Sequence, residues 1–156
     1  MSVRVVPVDT TELREAMRTI RMTVFVAEQG VDPDHEMDDL DDDPTTLHVV
    51  ALDDDGTALG TARLLPPHDG PAHIGRVAVS ARARGLGVGA LLMTSLEAAA
   101  LDRYAVDGEV TVELSAQEQA LGFYARIGYV ARPGRHLDEN IWHRDAVKIV
   151  RVSDTP

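Results

Sequence analysis

Residues 80–92 read Ser80-Ala81-Arg82-Ala83-Arg84-Gly85-Leu86-Gly87-Val88-Gly89-Ala90-Leu91-Leu92, and the reading of this stretch decides the fold. A strand pattern over 73–79 leads into it. A helical pattern over 88–101 opens directly after it, with Leu91, Leu92, Ser95, Leu96 and Ala99 on the expected inner side. Glycines without a Cβ let the backbone curl so that consecutive N–H groups converge, and the new helix adds the positive end of its dipole at the same spot. The product is an anion cradle. Arg82 and Arg84 place full charges beside it in a chain that is otherwise acidic.

More than one ligand suits such a cradle. Gly85, Gly87 and Ala90 satisfy G-x-G-x-x-A, the dinucleotide fingerprint, and Glu113 ends the next strand near where an acidic residue would meet a ribose. Against a dinucleotide, the loop lies past the middle of the chain, the strands before it pattern as an antiparallel meander, and several residues separate strand from first glycine. A third reading assigns the glycines to a tight turn alone.

Toward the N-terminus, strands at 47–52 and 58–65 flank Asp53-Asp54-Asp55-Gly56, whose Asp-Gly pair signals a hairpin. Before them, Asp32 to Pro44 (DPDHEMDDLDDDP) has no periodicity and reads as a solvated loop. Its clustered carboxylates, Asp34, Glu36, Asp38, Asp39, Asp41, Asp42 and Asp43, invite a calcium reading, but the central glycine and closing glutamate of an EF-hand are missing. As a functional element the loop would rim a substrate entrance and attract amines. A helix over 11–27 is expected from Leu13, Met17, Ile20 and Val24, with Gly30 stopping it and a strand at 3–8 before it. Toward the C-terminus follow a strand at 109–114, a short helix at 118–127, a turn at Gly128 and a last strand at 141–150, with 129–132 as an optional extra strand. Without that extra strand the order β-α-β-β-β-α-β-α-β describes an α+β, three-layer domain spanning 1–156.

Composition narrows the function. With 44% hydrophobic and 26% charged residues the 156-residue chain has a globular balance, and no apolar run approaches the roughly 20 residues of a membrane span. There is no cysteine and no secretory pattern in the first residues, so a cytoplasmic location without membrane attachment is expected. A net charge of -11 argues against a nucleic-acid partner, which needs clustered Lys and Arg, and favours a cationic one.

Beyond the loop, Val24-Phe25-Val26-Ala27-Glu28-Gln29-Gly30, Glu36 and Asp38, Leu114-Ser115-Ala116-Gln117, Phe123-Tyr124 and Gly128-Tyr129 complete a pattern that covers almost the whole chain. In these residues the sequence resembles the GNAT acyltransferase superfamily, and within it the ElaA-like group. The resemblance implies a mixed, mostly antiparallel sheet of about six to seven strands flanked by helices and splayed between strands four and five, with acyl-CoA in the opening. It implies that Val77, Ala78 and Val79 pair with the pantetheine arm, and that Arg84, Gly85, Leu86, Gly87, Val88, Gly89 and Ala90 grip the pyrophosphate. Gln117 and Tyr124 would complete the cofactor site.

The same resemblance makes Tyr124 the acid that protonates the departing thiolate, where the pattern alone equally allows a packing tyrosine. His73 stands eleven residues before Arg84, where several such enzymes place a catalytic glutamate, and would serve as base. Glu28 is a second candidate for meeting the amine, and Glu36, Glu113 and His143 are rivals. The activity implied is transfer of acetyl from acetyl-CoA to a primary amine of a small molecule or peptide, without a metal; the alternative is a non-catalytic acyl-CoA sensor. A homodimer is compatible with the chain, though no residue specifies one.

Overall fold

The computed structural model describes residues 2–154. β1 (Arg4–Pro7) pairs antiparallel with β2 (Leu47–Leu52), β2 with β3 (Ala58–Leu65), and β3 with β4 (Ala72–Val79). Between β1 and β2 runs α1 (Thr11–Arg21), started by Thr10, whose side-chain oxygen accepts the Leu13 N–H at 3.1 Å. It continues without a break into a π-helical segment, Met22–Glu28, where the sequence pattern had implied ordinary α-helix to residue 27. Such wide turns concentrate at functional sites.

After the glycine loop come α3 (Val88–Tyr104), β5 (Glu109–Gln117), α4 (Leu121–Arg126), β6 (Val130–Ala131), β7 (His136–Asp138) and β8 (Ile141–Arg151). The eight strands form one sheet in the order β1-β2-β3-β4-β5-β8-β6, with β7 also on β8. β7 is the strand absent from the sequence reading. It turns into β8 through Glu139 and Asn140, both at positive φ (51° and 62°), the backbone of a two-residue hairpin.

Helices cover both faces. On one, Val88, Leu92, Met93, Leu96 and Ala100 of α3 pack on the sheet; Leu91, expected inside, is 42% exposed, because the buried stripe runs one residue further round the helix. Burying Leu92 and Leu96 completely contributes about 1.5–3 kcal/mol each. On the opposite face, Ile20, Val24, Phe25 and Val31 enclose Ala78 with Ile141 beside them. Tyr129 donates to Glu97 at 2.7 Å and Lys148 to the same carboxylate at 2.9 Å, fixing the turn after α4 to α3 and β8.

Two irregularities make room for a site. β4 and β5 are parallel but joined only through Ala72↔Val112 and His73↔Glu113; beyond that point they part. β4 also carries a bulge. Its register with β3 shifts between Thr61 and Arg63, and Arg76 opposite that shift lies at φ 53°. The extra residue lets Ile74 and Val77, three apart, both pack on the α3 side, where strict alternation would separate them.

The acidic segment overturns the solvated-loop reading. Residues 32–44 fold into α2 (Pro33–Glu36) and a 3-10 turn (Asp39–Asp42), with Glu36 and Asp41 only 2% and 3% exposed. Arg21 donates from Nε to Glu36 at 2.8 Å and from Nη1 to Asp41 at 2.6 Å, while Arg63 donates to Asp38 at 2.8 Å and Asp41 at 2.9 Å. Arg76 joins them, 3.1 Å from Glu36 and 3.4 Å from Asp38. Three arginines from three remote elements thus occupy the carboxylates that a free cation would need. Burial pushes the Asp41 carboxyl up, but the hydrogen bond from Arg21, the Asp38 N–H and the charges of Arg21 and Arg63 outweigh it and hold Asp41 below the usual carboxylate range.

Candidate active site

The parting of β4 and β5 opens a cleft of about 940 Å³ that runs through the sheet from the α1 face to the α3–α4 face. Its residues fall into two chambers with β4 between them.

The α3–α4 chamber is built on the glycine loop. Gly85 and Gly87 sit at φ 80° and 81°, conformations that only glycine adopts without strain, and a Cβ at either would meet nothing within 4 Å. Gly87 precedes α3 with no side-chain cap, so the first N–H groups of a 17-residue helix face an open space. Gly89 has a different reason: a Cβ there would come 3.2 Å from Phe123 of α4. Close packing of α4 on the start of α3, rather than backbone curl, favours that glycine. Val77, Val79, Val88 and Ala90 line the same chamber, while Leu86 points outward, 54% exposed.

The two arginines diverge. Arg84 lines the cleft, donating from Nε to the Val79 carbonyl at 3.1 Å and pairing with Glu28 of the π-helical segment. Arg82, expected beside the cradle, instead lies 3.7 Å from Asp53 in the β2–β3 turn, outside the cleft. Its place is taken by Arg126 of α4, which lines the chamber and which no sequence pattern singled out.

Tyr124 closes this side. Its ring packs edge-on against Phe123 at 5.0 Å and Tyr129 at 5.9 Å, and burial pushes its hydroxyl up to about 12. The phenol is therefore a neutral donor throughout the physiological range, facing a cavity lined by Val77, Val79 and Leu114.

The α1-side chamber carries polar groups. Gln117 donates to Gln29 at 2.7 Å, tying β5 to the π-helical segment, and Ser115 and Glu28 line the same wall. His143, opposite Gln117 in the β5–β8 ladder, is 8% exposed and bonds through Nδ1 to the Ile141 carbonyl at 2.7 Å. His73 sits at the root of the opening, its side chain 46% exposed and its Nε2 3.2 Å from Glu113. The β7–β8 hairpin forms the outer wall with Asp138 and Glu139, and Glu139 reaches His35 of α2 at 2.8 Å. Glu36 and Arg76 lie at the floor. The residues expected from sequence are thus gathered around one cleft, except Leu86, Arg82 and Glu113; the hairpin, Arg76 and Arg126 were missed because no local pattern announces them, and Gln29 was read only as part of the family pattern.

An open strand edge, an uncapped helix start with free N–H groups, two arginines and a neutral phenol in one cleft suit a long, phosphorylated acyl donor. The polar chamber across the sheet suits a small acceptor. Comparison with known proteins matches the chain to an acyltransferase family. The acetyltransferase (GNAT) family matches residues 14–129. The chain is 35% identical over 130 residues to the uncharacterized N-acetyltransferase YjcF of Bacillus subtilis, covering 83% of this chain and 87% of that one. Among solved structures, an acyl-CoA N-acyltransferase from Pseudomonas aeruginosa is 36% identical with a TM-score of 0.81, covering 94% of this chain and 99% of the other. Escherichia coli ElaA is 25% identical with a TM-score of 0.80, covering 95% and 99%.

Proposed function

The chain belongs to the acetyltransferase (GNAT) family, and from that premise we propose that it transfers an acetyl group from acetyl-CoA directly to a primary amine of a small molecule or peptide. The observation that carries the reading is the continuity of the β4–β5 opening with the uncapped glycine loop, with Tyr124 on the wall between them.

The residues take the following roles. N–H groups of the loop from Gly85 to Ala90, with Arg84 and Arg126, hold the pyrophosphate and further phosphate charge. The unpaired edge of β4 at Val77, Ala78 and Val79 receives the pantetheine amides and turns N–H groups toward the thioester carbonyl, where negative charge develops. The amine, entering past Glu28 and Gln117, attacks that carbon; a C–N bond forms, the C–S bond breaks, and the Tyr124 hydroxyl gives its proton to the departing thiolate. Glu28 holds the incoming amine at the α1-side wall, with His73 at the root of the opening. Acidic groups in this chamber favour a cationic acceptor.

Calorimetric titration with acetyl-CoA, with NAD as the control ligand, tests the donor. Acetyl-CoA binding that is lost in the Arg84→Ala, Gly87→Ala double variant is the expected result. NAD binding in place of acetyl-CoA would overturn the assignment.

A further inference from the structure

Three facts about His143 converge on a role for its second ring nitrogen. A backbone carbonyl only accepts hydrogen bonds, so the 2.7 Å contact of Nδ1 with the Ile141 oxygen places the ring proton on Nδ1 and leaves a lone pair on Nε2. That lone pair is not spent inside the protein. Among the described residues nothing donates to Nε2, yet the buried side-chain atoms without a partner are Thr46 Oγ1, Arg63 Nε and Arg144 Nε, so Nε2 keeps some accessible surface, on a side chain that lines the cleft. A ring that is 8% exposed and stacked on His136 at a centroid distance of 5.8 Å is also held in one orientation.

The register supplies the position. β4 and β5 are in step at Ala72↔Val112 and His73↔Glu113, and carrying that step forward puts Gln117 at the height of Val77 and Ala78. Gln117 is paired with His143. The histidine therefore stands across the opening from the part of β4 where the thioester would lie. His73 is four residues further down the strand from Val77, about 13 Å away in extended chain, and its Nε2 is engaged by Glu113. Of the other bases facing this chamber, Glu28 is held by Arg84, Glu139 by His35 and Glu36 by Arg21 and Arg76, while Asp138 stands exposed on the outer hairpin wall.

Building on the N-acyltransferase reading above, we propose that His143 is the catalytic base, its Nε2 taking the proton from the incoming ammonium on the α1 side while Tyr124 serves the sulfur from the α4 side. The protons balance. One passes from ammonium to Nε2 and on to solvent; the neutral amine then attacks, its surplus proton replaces the one Tyr124 gives to the thiolate, and the products are an amide, free CoA thiol and one released proton.

The informative variant is His143→Asn, whose side-chain amide still donates to the Ile141 carbonyl but offers no base. With acetyl-CoA as donor, a pooled panel of primary alkylamines, charged at neutral pH, is compared with hydroxylamine, which is already neutral. We expect His143→Asn to lower kcat with the alkylamines by roughly a hundredfold or more, the scale of a general base. The loss with hydroxylamine should be less than about tenfold, and added imidazole should restore part of the alkylamine rate. Equal losses with both acceptors, or none, would overturn the proposal. So would nitrogen NMR of the histidine rings placing the proton of His143 on Nε2. Acetyl-CoA titration separates the two readings: equal binding by wild type and His143→Asn keeps the enzyme reading and reports a folded variant, whereas no binding by either sinks the N-acyltransferase reading itself.

Discussion

Glu28 and Arg84, 56 positions apart in the chain, form an ion pair that joins the acceptor wall to the first residue of the glycine loop. Arg84 also holds the end of β4 through the Val79 carbonyl, so one guanidinium contacts all three parts of the cleft. The pair is accessible, with side chains 33% and 48% exposed, and an anion settling in the loop competes with Glu28 for the same charge.

Removing that competitor strengthens anion binding. An accessible ion pair is worth roughly 0.2–1 kcal/mol, so Glu28→Gln is expected to bind acetyl-CoA up to about fivefold more tightly at low salt, the difference fading as salt screens the pair. Calorimetry at two ionic strengths checks this. Weaker binding by Glu28→Gln would show that the glutamate supports the loop instead of competing for it.

For Tyr124 the decisive comparison is with phenylalanine, which keeps the packing against Phe123 and Tyr129 and deletes only the donor. We expect Tyr124→Phe to lower kcat by about 10²-fold, the low end for a general acid, with acetyl-CoA affinity nearly unchanged. Because burial raises the hydroxyl to about 12, ionisation of Tyr124 produces no falling limb in the kcat profile of the wild type until strongly alkaline pH. Wild-type turnover in Tyr124→Phe would remove the residue from the mechanism.

Much of this was legible in advance where the signals are local. The cradle at residues 84–90 was readable because an αL glycine and an apolar helix start sit side by side, and the β2–β3 hairpin because Asp55-Gly56 specifies its own turn. What stayed hidden depends on contacts between distant segments. Nothing near Asp41 predicts that Arg21 and Arg63 will surround it, so a buried ionic cluster looked like a solvated loop. Gly89 looked like backbone curl until Phe123 was seen against it. The tautomer of His143 is likewise set by the carbonyl of Ile141, a main-chain atom that no side-chain pattern encodes.

The ionic cluster gives a stability prediction. Replacing Asp41 by Asn keeps the shape but leaves Arg21 and Arg63 buried with one carboxylate fewer, and breaking such a network from one side costs about 3–5 kcal/mol. Urea denaturation of Asp41→Asn should show that loss with an unchanged slope. The pH dependence follows from the sign of the shift: the folded-state carboxyl is held below its ordinary 3.8, so its contribution is present above that pH and disappears as pH falls through the depressed value. Asp41→Asn should therefore lose less further stability than the wild type on acidification through this range.

The opposite sign applies at the cleft's outer wall. His35 of α2 and Glu139 at the hairpin tip are 2.8 Å apart, and the hydrogen bond from this carboxylate, then its charge, raise the imidazole above 6.5. A raised histidine contributes fully below its unfolded value and loses the contribution as pH climbs through the folded one. The hairpin should thus be held against α2 below pH 6.5 and released at mildly alkaline pH. Hydrogen exchange of the β7 amides, corrected for intrinsic rates, reads this directly, since alternate N–H groups of His136–Asp138 point at β8 in the ladder. Their protection should fall as pH rises in the wild type and stay flat in Glu139→Gln, where the hairpin is already released. A pH-independent wild type would mean that the ladder and the turn at Glu139 and Asn140 hold the wall unaided, with no contribution from the His35–Glu139 pair.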